Sequence, residues 1–462
     1  MNLLQLVIKQ MRQRALSTCL TLMSVMLGVA LAVVIMLIRR ESAALFGQTD
    51  YGYDILIGAK ASPLQLVLNT VYQIDRSPGN IPYSVYRQLM TSPQFRPAVR
   101  MAIPTAVGDS YQGNRIIGTI PQLFGMNEDG TAPLPKERVM EYRPGRRYEL
   151  AAGKVFHGKK FEAVIGAGIP RLTGLKLGDK FKATHGMPKP GEVPDIHDQQ
   201  WTVVGILKPT KTAADRVLYI PLPTFYSLTE HEDALRAQAA IRQGIDPSRT
   251  ASSKPSADEH DGKSYTLNAD GTINLKMPED QWALSAILVR SRSPFFAQQM
   301  MYVINNRPEA AAVNPASVMR EFFQTFLQPT TQAWGAVAYL VNFVAIVAIL
   351  VSIYNSVSAR MRDIAILRAL GATRARILTT ICLEAGLIGL LGALLGIVLG
   401  HALGALASNY LQQTIGESLR WWVVAPEEWL YLLGVTAVAV LAGLVPAFKA
   451  YRSPVADNLV AV

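Results

Sequence analysis

The sequence predicts an integral membrane protein: four transmembrane α-helices, with a large mixed α/β extracytoplasmic domain inserted between helices 1 and 2. Three observations lead there. Apolar runs at residues 15–38, 331–357, 377–411 and 429–448 are nearly free of charge. Each is long enough to cross a bilayer, for which about 20 residues suffice. Residues 39–330 are polar, rich in glycine and proline, and contain no run that could span. Finally, arginine and lysine gather on the short flanks of the apolar runs, which orients the chain.

The bulk numbers agree. Half the chain is hydrophobic (50%) and only 17% is charged, against about 25% in soluble domains. The net charge of +11 could suggest nucleic acid, but the basic residues sit beside apolar runs, so it reads as a membrane signal with no nucleic-acid partner. Cys19 and Cys382 are the only cysteines and both lie in apolar runs, which excludes a disulfide framework.

Residues 1–14 alternate Leu3, Leu4, Leu6, Val7 and Met11 with Lys9, Arg12, Arg14 and glutamines, as a cytoplasmic amphipathic helix lying in the interface would. Residues 15–38 form the first span. The run is longer than the roughly 7–15 residues of a signal-peptide core, and no small-residue cleavage site precedes Arg39.

Within 39–330, short β-like runs recur at 99–107, 115–120, 161–165, 201–207, 217–220 and 284–289, with helical pieces at 84–90 and 294–305. Residues 242–276 are rich in Ser, Asp and Gly and read as a flexible loop. The second span covers 331–357, the third 377–411 and the fourth 429–448, separated by a basic stretch at 358–376 and a short loop at 412–428. Lys9, Arg12 and Arg14 precede the first span, and Lys449 and Arg452 follow the fourth. With the basic stretch, these flanks place both termini, including the 449–462 tail, in the cytoplasm. Arg39 and Arg40 run against this and are outweighed. Trp421, Trp422, Trp429 and Tyr431 form an aromatic belt at the opposite face.

The basic stretch carries Arg360, Arg362, Arg368, Arg374 and Arg376 against the single acid Asp363. Ile364, Leu367 and Leu370 fall at i, i+3 and i+6, giving a helix one apolar side. Gly371 stops that helix and Thr373 caps the next one. In the third span, Gly389, Gly392, Gly396, Gly400 and Gly404 make a ridge that lets another backbone approach closely, from a neighbouring span or a second copy. Glu384 is an intramembrane acid that needs a partner, with an arginine of the basic stretch nearest along the chain. A single acid makes a poor proton relay, so a clamp is the better expectation. His401 reads as a packing or inter-helix hydrogen-bonding residue.

No chemistry-bearing motif emerges. Asp195-Ile196-His197-Asp198 offers ligand types without a second cluster and reads as a solvated loop, so no metal is expected. The segment ADEHDGKS at 257–264 lacks the first glycine of a P-loop and carries acids where phosphates would sit. No Gly-x-Ser-x-Gly or His-Glu-x-x-His occurs. The chain is therefore not expected to be an enzyme by itself.

Three segments carry a family resemblance. Residues 360–372, RMRDIAILRALGA, resemble the R-x-R-E-I-[GA]-[IL]-L-R-A-[LI]-G-A/S motif of MacB/FtsX-type ABC transporter permeases, the family that includes the LolC/LolE-like lipoprotein-releasing subunits. Asp363 replaces the more usual Glu. The tail at 446–459, PAFKAYRSPVADNL, is similar to that family's terminal motif. Segments 163–180 and 201–223 look like the MacB-type periplasmic core domain. Glu384 also fits a glutamate that these permeases carry early in the third span. The 242–276 loop has no counterpart in the family.

The resemblance implies a permease dimer, homomeric or heteromeric, in the bacterial inner membrane, bound to two copies of a separate ATPase. The chain would hold no cofactor of its own, with ATP and Mg on the ATPase. Residues 358–376 would be the coupling helix, with Ile364, Leu367 and Leu370 docked on the ATPase and Arg360, Arg362 and Arg368 meeting lipid headgroups or ATPase acids. Closure of the ATPase would move the extracytoplasmic domain, which is mechanotransmission. Membrane lipids and a periplasmic adaptor or lipoprotein are further partners. The function implied is export or extraction of a hydrophobic or lipid-linked substrate. The alternative is an FtsX-like regulator that pulls on an outside protein such as a cell-wall hydrolase without transport.

Overall fold

The computed structural model describes residues 3–46, 51–74, 77–188, 194–228, 264–359, 361–369, 371–415 and 419–452. The chain divides into two compact units, Phe46–Phe322 and a helical unit built from the segments on either side of it.

Helix α1 (Leu3–Gln13) is followed at once by α2 (Ala15–Phe46). The next unit is a mixed sheet sandwiched by helices. Its strands are β1 (Ile55–Gly58), β2 (Val99–Tyr111), β3 (Asn114–Thr119), β4 (Leu150–Gly153), β5 (Glu162–Ile165), β6 (Lys180–His185), β7 (Ile196–Leu207) and β8 (Leu218–Pro221). A separate hairpin, β9 (Tyr265–Leu267) and β10 (Ile273–Leu275), precedes β11 (Ala286–Ser291) and β12 (Ala311–Val313). The ten-stranded order is β12-β1-β11-β2-β3-β8-β5-β7-β4, with β6 pairing both β7 and β2. Among the described residues, only β8 with β3 and β7 with β5 run parallel. The long strand β2 joins the halves. Val99 to Thr105 pair with β11, and Ala106 to Tyr111 pair with β3.

Both faces of the sheet are covered, so strands alternate between two apolar cores rather than between core and water. Ile55 and Ile57 enter one core with Trp201, Val85, Leu89 and Met300. Leu56 enters the other with Ile103, Val164, Leu66 and Met319. The covering helices are α3 (Pro63–Thr70), α4 (Tyr83–Thr91), α5 (Ile169–Thr173), α6 (Leu222–Tyr226), α7 (Pro294–Asn305) and α8 (Pro315–Phe322). Local chemistry sets their starts. In α7, Ser293 Oγ accepts the Phe296 N–H at 3.4 Å and Pro294 occupies the first position, where its missing N–H costs nothing. Trp201 is fully buried because its Nε1–H has a partner, Thr224 Oγ1 at 2.9 Å.

Two expectations change here. Of the predicted 242–276 loop, the part up to residue 263 lies outside the described residues. The remainder holds the β9–β10 hairpin, with Ile273 at 1% exposure and Ser264 hydrogen-bonded to the Ser227 carbonyl. The predicted solvated loop at 195–198 instead opens β7, where His197 is buried.

The second half of the helical unit begins with a π turn at Phe323–Leu327, followed by α9 (Gln328–Ser358), α10 (Met361–Ala369), α11 (Arg374–Ile415) and α12 (Pro426–Arg452). Four helices are long and apolar enough to cross a membrane: Ala15–Ala43, Pro315–Ser358, Arg374–Leu411 and Pro426–Phe448. Val29, Val33, Ile349, Ile353, Ala385 and Ala439 share one core among them.

Candidate functional site

The basic stretch forms the short helix α10, held between two membrane helices. Ala359 closes α9, with its N–H bonded to Asn355 O at 3.1 Å. After α10, Gly371 has φ +95°, a left-handed conformation that a residue with a Cβ rarely adopts. Thr373 Oγ1 then accepts the Arg376 N–H at 3.3 Å and caps α11. The chain can thus leave one helix and enter the next within four residues.

Of the expected apolar stripe, only the Ile364 side chain lies among the described residues. Met361 and Ile364 pack against the core of the four-helix bundle, together with Val357 and Ile377. Arg362 is exposed and Arg368 is half-buried, while Ile366 is exposed at 42%. Ile364 therefore serves the chain's own bundle, and Ile366 is the outward apolar side chain among those described. The side chains of Asp363 and Leu367, and residues Arg360 and Leu370 altogether, lie outside the described residues.

The glycine ridge seats the first membrane helix. Gly392, Gly396, Gly400 and Gly404 of α11 meet Val25, Val29, Val33 and Leu37 of α2. Both series advance by four, which is one ridge lying along another. Gly389 turns to Ala439 of α12 instead, and Gly443 of α12 returns the contact at Ala385. The ridge is thus filled within the chain. Asn342 of α9 donates to Gly28 O at 3.3 Å, tying a third helix to α2. Glu384 is buried in α11 at 6% exposure, next to Ala385.

At the other end of the bundle lies a charge cluster of which the sequence reading had only His401, as an inter-helix hydrogen-bonding residue. Glu428 is the third residue of α12, and its Oε1 accepts the Ala425 N–H at 3.1 Å, half of a capping box. Its Oε2 lies 2.8 Å from His401 Nε2 of α11, while His401 Nδ1 meets the Trp421 carbonyl. Arg40 of α2 reaches Val423 O at 2.9 Å and Arg420 O at 3.2 Å, and lies 4.0 Å from Glu428. Glu41 accepts from Arg40 Nε at 3.1 Å and from Arg420 Nε at 3.3 Å. Glu41 and Glu428 are 3% and 1% exposed. Two acids and two arginines balance, which is how such burial is tolerated. The arginine that runs against the orientation rule is therefore part of a clamp on α2, α11 and α12. Adjacent Arg40-Glu41 and Glu427-Glu428 at span ends were its charged sequence signal, beside His401 within the third span.

In the sheet unit, a cleft of about 1080 Å³ opens beside α4 and the start of β2. Leu89, Met90, Met101 and Ile120 line it, and Arg96, Arg100, Arg138 and Arg292 stand at its exposed edges. Glu137 is the lone acid among its lining residues. Burial pushes the Tyr86 phenol in its wall up to about 12, so that group stays neutral at physiological pH.

A domain after the first span and a basic helix between the second and third define a class of transporter subunit. Residues 18–255 match the MacB-like periplasmic core domain, and residues 335–455 match the FtsX-like permease C-terminal domain. The chain belongs to this family of ABC transporter permeases. An uncharacterized ABC transporter permease of Methanocaldococcus jannaschii is 29% identical over 126 residues, covering 26% of this chain. The matched part spans 31% of that relative's length. Membership makes the chain a membrane component of the ABC permease type.

Proposed function

We propose that the chain is the permease subunit of an ABC transporter that converts ATP hydrolysis by a separate ATPase into movement of its extracytoplasmic domain. Two ATPase copies, carrying ATP and Mg, serve a permease dimer in a bacterial inner membrane, with both basic flanks and α10 on the cytoplasmic side. The observation that carries this reading is α10 itself. It is a nine-residue helix between membrane helices, ended by Gly371, with Arg362 and Ile366 turned outward. Exposed arginine beside an exposed isoleucine suits a groove with an apolar floor and an acidic rim.

The cleft supports one substrate class. A lining of mixed polar and apolar side chains with four arginines at its edges suits an anionic amphiphile, such as a lipid-linked molecule with phosphate or carboxylate near its apolar part. This favours transport over regulation of a hydrolase. The test is purification of the full chain from its native membrane in mild detergent. A co-purifying ATPase whose turnover rises with an anionic lipid, and no longer does so in Arg100→Glu/Arg292→Glu, supports the reading. A stoichiometric cell-wall hydrolase, with turnover indifferent to lipid, would replace it with the regulator.

A further inference from the structure

Asp109, His185 and His197 come from three neighbouring strands, β2, β6 and β7. Strand register brings them to one face. Asp109 lies directly across from His185 in the β2–β6 pair. In the β6–β7 pair, Thr184 lies across from Ile196, and the His185 N–H donates to Asp195 O at 2.8 Å. His197 is then two residues from the cross-strand neighbour of His185, on the same side of the sheet.

The three side chains converge on one oxygen. Asp109 Oδ1 lies 3.4 Å from His197 Nε2 and 3.6 Å from His185 Nδ1. The imidazole planes stand at 89°, with centroids 5.7 Å apart. All three ligand atoms lie within 4.8 Å of one another. Asp109 and His197 are buried, and the His185 side chain is 47% exposed.

These distances are long for hydrogen bonds, whose N···O separation centres at about 2.9–3.0 Å. They fit two ligands of one tetrahedral ion, which stand about 3.3 Å apart when each bond is about 2.0–2.1 Å. A buried carboxylate facing two imidazoles also gains from a cation between them. Two nitrogens and one oxygen suit zinc and its first-row neighbours, whereas calcium and magnesium take oxygen ligands.

We propose that Asp109, His185 and His197 form a divalent transition-metal site of the zinc type, entered from the His185 side, with solvent as the fourth ligand. Bound metal would clip the ends of β6 and β7 to β2, where the β6–β7 register shifts between Ile196 and Gln200.

The test uses the full chain in detergent, stripped with a chelator and titrated with Co²⁺ as the probe. One Co²⁺ per chain is expected, with the strong visible absorption of a four-coordinate site, displaced by Zn²⁺. Because His185 is half exposed, His185→Ala should fold like the parent while weakening Co²⁺ binding at least about tenfold. Zn²⁺ should raise the unfolding midpoint of the parent and not of His185→Ala. His157→Ala, which alters a His–Asp pair elsewhere (3.4 Å from Asp129), should change nothing. Parent protein that retains no Co²⁺, or equal affinity in His185→Ala, overturns the site and leaves an ordinary buried His–Asp contact.

Discussion

A methyl group on Gly396 would stand 2.6 Å from Val29 Cβ and 2.8 Å from the Met26 carbonyl oxygen. Backbone and β-branched side chain meet there with no slack. In a lipid-solvated bundle, close packing rather than hydrophobic exclusion holds helices together, so this contact matters more than its area suggests. Gly396→Val should lower bundle stability by about 1–3 kcal/mol, as overpacking does. Gly434→Ala, with open space around it inside α12, should leave the unfolding midpoint unchanged or raise it. Thermal unfolding in detergent measures both, and equal midpoints would refute the packing account.

His401 and Glu428 meet at 2.8 Å inside the charge clamp. Removing one member leaves the others buried and uncompensated, a loss of about 3–5 kcal/mol. Glu428→Ala should therefore destabilise strongly, and it also removes the bond to the Ala425 N–H. In a double-mutant cycle, His401→Ala with Glu428→Ala should cost less than the sum of the singles by about 1–2 kcal/mol. Strict additivity would mean the pair is incidental.

On α10, Ile366→Asp places a charge on the one outward apolar side chain described. ATPase affinity should fall at least about tenfold, with the permease still inserted and folded. Ile364→Asp should act differently, because Ile364, partly buried, packs against the bundle core. It should lower the unfolding midpoint. Co-purification yield and unfolding midpoint, measured on both variants, separate the two effects. The assignment of faces fails if both variants lose ATPase while staying equally stable.

Tyr53, Tyr148 and Tyr219 lie close together in the sheet unit, and burial raises each phenol above its ordinary value near 10. The folded state holds these protons more tightly than the unfolded chain. Their contribution is complete below about pH 10 and is lost as pH rises from there toward the folded values. Tyrosinate absorbance from this group should therefore appear together with loss of β-sheet signal. Full titration near pH 10 with circular dichroism unchanged would refute it.

Much of this architecture is legible in the residues, and the failures have causes. Helix 294–305 is readable because Ser293 and Pro294 mark its start chemically. Strands Ile55–Gly58 and Ala311–Val313 are not, being too short for periodicity to emerge. The spans follow from apolar length, whereas the clamp joins Glu41 to Arg420 across 379 positions and has no local signature. His197 was recoverable. Counting back by twos from buried Trp201 gives it the same parity as Val203 and Leu207, which are also buried. Its polar neighbours outweighed that count. On α10, three apolar positions at helical spacing predicted a docking stripe, but the same spacing serves packing against the adjacent span, and Ile364 took that role.

The packing of partly buried Met361 and Ile364 against the bundle core constrains how α10 can respond to a push. It shares that core with Val357 and Ile377, one on each adjoining helix. Close-packed interiors resist gradual deformation and change by jumping between arrangements. A force on α10 therefore meets a threshold: below it the side chains stay seated, and above it both neighbouring membrane helices must shift with it. In the proposed coupling role, α10 would act as a latch with discrete positions, its output coming in strokes and not scaling smoothly with load.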